Sequence, residues 1–253
     1  MMKYFIPTYR KKEIKTAETF KGLDYLLFCD KEDFDKLNDK YNCYLLPDGV
    51  QGNIARVRNY ILNYARENNI DYFAMCDDDI SKLYIYDSQL KSRLKELTAF
   101  EYDYILDKFS ETFMQKENCV GWSMNETSQP RDYKGEINCN NACFMSGTFS
   151  IYFTDRISFE FDERLSLKED YDFTLQALTS GKIIYKFKGL FYLPERVTTG
   201  LKNFGGCSTY RTSEREQEQI ELMKEKWGDF IKYKDGDING VINYKKLYSL
   251  VWF

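Results

Sequence analysis

Three successive carboxylates, Asp77, Asp78 and Asp79, close the apolar run from Ile70 to Cys76, and the chain turns apolar again at Ile80. Two unit charges about 4 Å apart repel by roughly 1 kcal/mol in water and about 4 kcal/mol near a protein surface. An acidic triplet at the end of a buried strand therefore calls for a positive partner. Alternation along a strand sends Asp77 and Asp79 to one side and Asp78 to the other, so the first and third can bracket a cation. A solvated acidic turn that caps the next segment is the plain alternative. The chain has no histidine. The commonest general base and the commonest transition-metal ligand are both missing, so acid–base chemistry and metal binding fall to carboxylates. A hard, oxygen-liganded cation, magnesium or manganese, is the expected kind.

A second acidic cluster runs through FDERLSLKEDYDFTLQAL, with Asp162, Glu163, Glu169, Asp170 and Asp172. Glu169 and Asp170 follow a loop and open a helical pattern, Tyr171 to Leu178, that ends before Gly181. A helix N-terminus favours negative charge there without any chemistry. A third group, Lys202, Asn203, Gly205 and Gly206, lies in the loop sequence GLKNFGG. Paired glycines let backbone amides approach phosphates and a lysine adds charge; a plain hinge fits the same residues.

These residues need elements to hold them. KYFIP (Lys3 to Pro7), DYLLFC (Asp24 to Cys29) and CYLLP (Cys43 to Pro47) are short apolar runs of strand length. Between the second and third, Lys31 to Lys40 carries Phe34 and Leu37 three apart, which suits a short amphipathic helix. From Asn53 the apolar positions Ile54, Val57, Ile61 and Ala65 recur at helical spacing, and the acidic strand follows at Ile70. The order is βαβαβ. Nearly all-apolar strands separated by helices imply an α/β fold with a mostly parallel sheet covered on both faces. In such a sheet ligands bind beyond the carboxyl ends of the strands, where the triplet sits. Further on, Ser213 is the expected N-cap of a helix, with Glu216 as its capping-box partner, Ile220, Met223 and Trp227 as its stripe and Gly228 as its stop. The lysine- and tyrosine-rich tail from 229 to 253 fits a small hairpin or helix.

With 253 residues, 43% hydrophobic, the chain can bury a sizeable core in one domain with an appended tail. A net charge of −4 gives an overall field that does not attract polyanions, so a nucleic-acid partner would need a local basic face. No window approaches the length of a membrane span and the N-terminus lacks the pattern of a signal peptide, so a cytoplasmic setting is expected. Cys29, Cys43 and Cys76 read as reduced, packed thiols. Cys139 and Cys143 are a close pair, but without histidine a zinc site is not expected.

Taken together, IPTYR, GNIARVRNYILNY, CDDDI and the stretch from FDER to EDYD resemble nucleotide-sugar glycosyltransferases of the GT-A fold, over roughly Tyr4 to Trp227. The resemblance implies a Rossmann-like GT-A domain over 1–228, its nucleotide half at about 1–80 and its acceptor half at about 81–228, with a small C-terminal extension at 229–253 packed on it. It implies that Thr8, Tyr9 and Arg10 line the nucleotide pocket, with Gly52, Arg56 and Asn59 beside the base and ribose. Asp79 would hold the divalent cation directly and Asp77 would meet metal or ribose, Asp78 standing beside them in the donor site. Arg56 or Arg58 would steady the diphosphate, because a cation and an arginine stabilise a leaving group that gains negative charge; two snorkelling helix residues are the plain alternative. A carboxylate of the ED pair, Asp170 first and Glu169 next, would take the proton from the acceptor hydroxyl, and direct deprotonation of this kind inverts the anomeric centre. Glu163 reads as structural. In many GT-A enzymes a C-terminal histidine completes the metal site; here a carboxylate, amide oxygen or water must replace it.

Within that fold, IPTYR, ARVRNYI, CDDDI, EDYD and NFGG followed by YR look most like the TET/JBP-associated glycosyltransferases, a family widespread in bacteriophages and related to the base J glucosyltransferase. The resemblance implies transfer from a nucleotide sugar, UDP-linked by expectation, onto 5-hydroxymethylpyrimidines in double-stranded DNA. The base would be flipped or its hydroxymethyl group accessible beside Asp170, with lysines and arginines on the phosphates. Trp122, Arg131, Tyr133 and Lys134 are the acceptor-side candidates, and Arg10, Lys11, Lys12 and the segment Lys82 to Lys95 the further basic ones. Two other readings remain: a transferase acting on a polysaccharide, lipid-linked glycan or protein, and a non-catalytic nucleotide-sugar or DNA-binding module, against which the intact Asp77, Asp79 and Asp170 speak.

Overall fold

The computed structural model describes residues 2–90, 92–126, 137–138, 143–195, 211–233, 241–244 and 246–247. Its first half is the expected alternation with one helix more, α1: β1 (Lys3–Pro7), α1 (Lys15–Thr19), β2 (Asp24–Cys29), α2 (Lys31–Leu37), β3 (Cys43–Leu45), α3 (Ile54–Glu67) and β4 (Tyr72–Cys76). The second half adds β5 (Ile80–Tyr86), β6 (Leu94–Glu96), α4 (Ala99–Met114), β7 (Cys119–Glu126), β8 (Ile137–Asn138), β9 (Phe149–Phe153), α5 (Glu169–Thr179), β10 (Ile183–Pro194), α6 (Ser213–Trp227), β11 (Ile231–Lys232) and β12 (Val241–Ile242).

Among the described residues ten strands make one sheet, in the order β3-β2-β1-β4-β9-β7-β10-β5-β6, with β8 beside β10. β3, β2, β1 and β4 run parallel. β9 lies antiparallel between β4 and β7, β10 is parallel to β7, and β5 and β6 close the edge antiparallel. The insertion of β9 beside β4 puts the segment that leads into β9 next to the acidic turn at the end of β4.

Alternating side chains feed two apolar layers. Tyr4, Ile6, Trp122 and Phe149 pack on one face with Phe20, Tyr102 and Leu106 of the α1–α4 side. Phe5, Phe73, Met75 and Tyr152 pack on the other with Val57 and Ile61 of α3, Phe173 of α5 and Met223 of α6. Ile231, Ile242 and Leu247 from the tail are buried in that second layer, and β11 and β12 pair antiparallel.

Side-chain caps fix the starts of α2, α3, α4 and α6. Asp30 caps α2 through the Asp33 amide, and Asn53 caps α3 by accepting from the amides of Ala55 and Arg56. Gly52 just before it has φ 91°, a left-handed turn that suits glycine. At α6 the cap is Thr212, which accepts from the Arg215 amide, in place of Ser213. The frame is one residue earlier than expected, and Glu216 is not a capping-box partner: its carboxylate pairs with Lys168, 3.2 Å away.

Candidate active site

Backbone bonds from three directions hold the acidic turn after β4. The Thr16 hydroxyl of α1 donates to the Asp77 carbonyl at 2.6 Å and accepts from the Ile80 amide at 2.8 Å, and the Thr19 hydroxyl donates to the Ile80 carbonyl at 2.9 Å. The Asp77 amide donates to the Thr148 carbonyl, and the Asp79 carbonyl accepts from the Glu195 amide. The side chains then diverge. Asp78 faces Lys11 at 3.4 Å, and burial pushes its carboxyl up to about 7 although the lysine pulls the other way. Asp77 keeps 30% of its side chain exposed and lies 3.5 Å from Arg58, while Asp79 is largely buried.

Arg58 joins this turn to the second acidic cluster. It lies on the buried face of α3 with only 3% of its side chain exposed, and its Nη2 donates to the Gly147 carbonyl at 2.9 Å. The same nitrogen is 3.5 Å from Asp77 and 3.6 Å from Glu169. Burial works against its charge, but Glu169, Tyr152 and Asp77 outweigh that and hold it firmly protonated. Burial raises the carboxyl groups of Glu169 and Asp170 above the ordinary carboxylate range, with Arg58 opposing. Asp170 stands at the start of α5, where the Gly147 amide donates to one of its oxygens at 3.3 Å and the Tyr171 amide to the other at 2.9 Å. Two carboxyl groups of raised proton affinity, beside an arginine and a partly exposed aspartate at a sheet edge, form a group able to exchange a proton next to a buried cation.

The structure gathers Asp77, Arg58, Glu169 and Asp170, and places other expected residues elsewhere. Thr8 is buried at the end of β1, its carbonyl accepting from Gln51. Arg10 has φ 58°, unusual for a non-glycine residue. Its amide donates to Asp33 at 2.6 Å, and its guanidinium faces Asp30 and Glu32 and lies over the Tyr9 ring. Arg56 is exposed and bonds Glu163 at 2.8 Å and the Gly49 carbonyl. The Asn59 amide is turned onto the backbone of Phe161, donating to its carbonyl at 2.9 Å and accepting from its amide at 2.7 Å. Trp122 does not line the site: it is fully buried on the α4 side, its indole N–H on Ser110 at 3.0 Å. A tryptophan on a buried strand packs its ring first and finds a partner for its N–H locally. Lys202, Asn203, Gly205, Gly206, Arg131, Tyr133 and Lys134 lie outside the described residues.

Among the described residues no three of His, Cys, Asp and Glu converge as a closed metal cage. That does not count against a divalent cation of the magnesium type, which takes one or two carboxylates and completes its shell with substrate phosphates and water. Asp77, with a partly exposed carboxylate on the turn it shares with Asp79, fits such an open site.

Residues the sequence reading passed over turn out to matter: Thr16, which staples the turn, Gly147, which Arg58 overlies, and Tyr152, whose hydroxyl burial holds protonated. Arg58 itself carried a signal. It precedes Ile61, Leu62 and Ala65 by three, four and seven residues and so belongs to the buried stripe of α3. Arg56 does not.

Among solved structures the chain is similar to S. aureus TarS 1–349 in complex with UDP, at 14% identity and TM-score 0.46, covering 90% of this chain and 73% of that one. It is also similar to A197 from STIV, at 13% identity and TM-score 0.42, covering 75% and 83%. A third is CMP:2-keto-3-deoxy-manno-octonic acid synthetase complexed with CTP, at 8% identity and TM-score 0.45, covering 89% and 100%. No curated protein gives a significant match. The sequence pattern of the TET-Associated Glycosyltransferase family matches residues 2–206, a span that takes in the acidic turn, Arg58, Gly147 and the start of α5. With both acidic clusters inside the match, the chain belongs to the TET-associated glycosyltransferase family and is a glycosyltransferase.

Proposed function

We propose that this enzyme transfers a sugar from a UDP-type donor to the hydroxyl of a 5-hydroxymethylpyrimidine in DNA, with inversion and with a divalent cation, in the hypermodification of phage DNA. The observation that supports a transfer site is the bracket formed by Arg58, which lies 3.5 Å from Asp77 on the acidic turn and 3.6 Å from Glu169 of α5. On this reading a donor side and an acceptor side meet at one sheet edge. Asp170 accepts the proton of the acceptor hydroxyl, the freed oxygen bonds to the anomeric carbon, and the bond from that carbon to the diphosphate breaks on the opposite face. Glu169 is the alternative base. The cation, when bound by Asp77 and Asp79, supplies positive charge against the diphosphate as it leaves. Thr8, Tyr9, Gly52 and Arg56 border the nucleotide half at about 1–80, and Lys202, Asn203, Gly205 and Gly206 serve the phosphates. Among the described residues no helix is long and apolar enough to cross a membrane.

One observation favours a second reading, a glycan or protein acceptor. Arg10, Lys11 and Lys82 are each engaged by carboxylates of the protein itself, which leaves them less available to DNA phosphates. Incubating the enzyme with hydroxymethylated DNA, manganese and a panel of nucleotide sugars, then weighing the released nucleosides, decides between them. A hexose or pentose mass gain that a chelator abolishes is the expected result. Metal-dependent donor hydrolysis with unmodified DNA overturns the DNA assignment and leaves the second reading.

A further inference from the structure

The arginine on the buried face of α3 invites assignment to the donor diphosphate, but its surroundings point elsewhere. Arg58 is 3% exposed on its side chain, and its Nη2 donates to the Gly147 carbonyl. Nε and Nη1 are buried without a hydrogen bond. What locates the guanidinium is mainly charge and shape: Asp77 at 3.5 Å on one side, Glu169 at 3.6 Å on the other, the Tyr152 hydroxyl beside it, and the Phe161 ring with its centroid 5.8 Å away. The last wall is the backbone of Gly147. A Cβ there would lie 2.6 Å from Nη1, 2.8 Å from Nη2 and 3.0 Å from Cζ. Van der Waals contact needs about 3.5 Å, so any side chain at 147 displaces the guanidinium. The same Gly147 donates its amide to Asp170.

We propose that Arg58 is a positioning residue: its guanidinium, seated over Gly147, fixes the Asp77 carboxylate relative to Glu169 and so sets the gap between donor side and acceptor side without touching the diphosphate. This rests on the transferase reading of the site. Two carboxylates that belong to different halves of the reaction repel each other, and a cation between them relieves that repulsion and holds both at a set separation. Lysine cannot replace it, because a single ammonium on a flexible stem lacks the planar fork that spans two acids and a carbonyl.

Gly147→Ala, Arg58→Lys and the double variant test this, with donor turnover and UDP affinity measured in manganese. Each single substitution should lower kcat by about 100-fold, the usual result of misplacing a reacting group by 1 Å. UDP affinity and donor KM should stay within about threefold of the parent, since only ground-state binding would move them. The double variant should lose little more than either single one, because both act through the same guanidinium. A loss confined to UDP affinity and KM in Arg58→Lys, with Gly147→Ala unchanged, would make Arg58 a diphosphate ligand and overturn the proposal, as would fully additive losses. If Arg58→Lys does not fold, Gly147→Ala decides alone: parental kcat refutes. A parent protein that binds no uridine nucleotide and turns over no donor is a different failure, that of the transferase reading itself.

Discussion

The two acidic clusters solve the same problem in opposite ways. The turn at Asp77 to Asp79 gathers three charges on one short loop and spreads them, Asp78 to Lys11, Asp77 to Arg58 and partly to solvent. Its order comes from the backbone, stapled by Thr16 and Thr19. The pair at Glu169 and Asp170 is buried, and its order comes through the carboxylates themselves, Asp170 being held by two amides at the helix start. A partly exposed carboxylate on a fixed backbone suits capture of a charged species from solution. A buried one with raised proton affinity suits taking a proton from a neutral hydroxyl. Similar residues thus acquire different chemistry from what surrounds them.

Removing the carboxylate proposed to hold the cation should do the greatest damage. Asp79→Ala is expected to abolish metal-stimulated turnover, a loss on the order of a thousandfold, since a bound cation contributes several kcal/mol to leaving-group stabilisation; full activity that still responds to manganese would detach the turn from the metal. Asp170→Asn should cost about 100-fold or more in transfer, within the usual span of general-base catalysis, while UDP affinity by calorimetry stays unchanged. Retained transfer in that variant shifts the role to Glu169. The smallest change tests the backbone staple: Thr16→Val keeps the shape but leaves the buried Ile80 amide and Asp77 carbonyl short of a partner. Urea denaturation should show a loss of about 1–3 kcal/mol; an unaltered midpoint would mean that the turn is held by its side chains.

Much of this was legible in the sequence where periodicity spoke alone. β1, β2, α2, α3 and β4 follow from apolar spacing, and the carboxyl-edge location of the triplet follows from their order. The antiparallel β9 was not legible, because a short buried strand declares neither its partner nor its direction. Trp122 misled because its polar N–H reads equally well as a ligand contact or as a packed indole. Arg56 and Arg58, two apart on one helix, face different surroundings, one bonded to exposed Glu163 and the other sealed under Gly147. Gly147 had no signal at all, since its importance lies in a side chain 89 residues away along the chain.

The anchoring of α5 has a consequence for where this enzyme can be cut. The helix that begins with Glu169 and Asp170 carries the buried Asp172, which is neutralised by Lys226 at 2.8 Å and bonded by the Trp227 indole at 2.8 Å. Just before it, Lys168 pairs with Glu216 and the Leu167 amide donates to Gln219. All four partners belong to α6, beyond residue 206 where the family pattern stops. A buried charge stripped of its partner is strongly destabilising. The segment matched by the family pattern and the segment that must be expressed to keep α5 anchored are therefore not the same, and α6 is the part of this chain that makes up the difference.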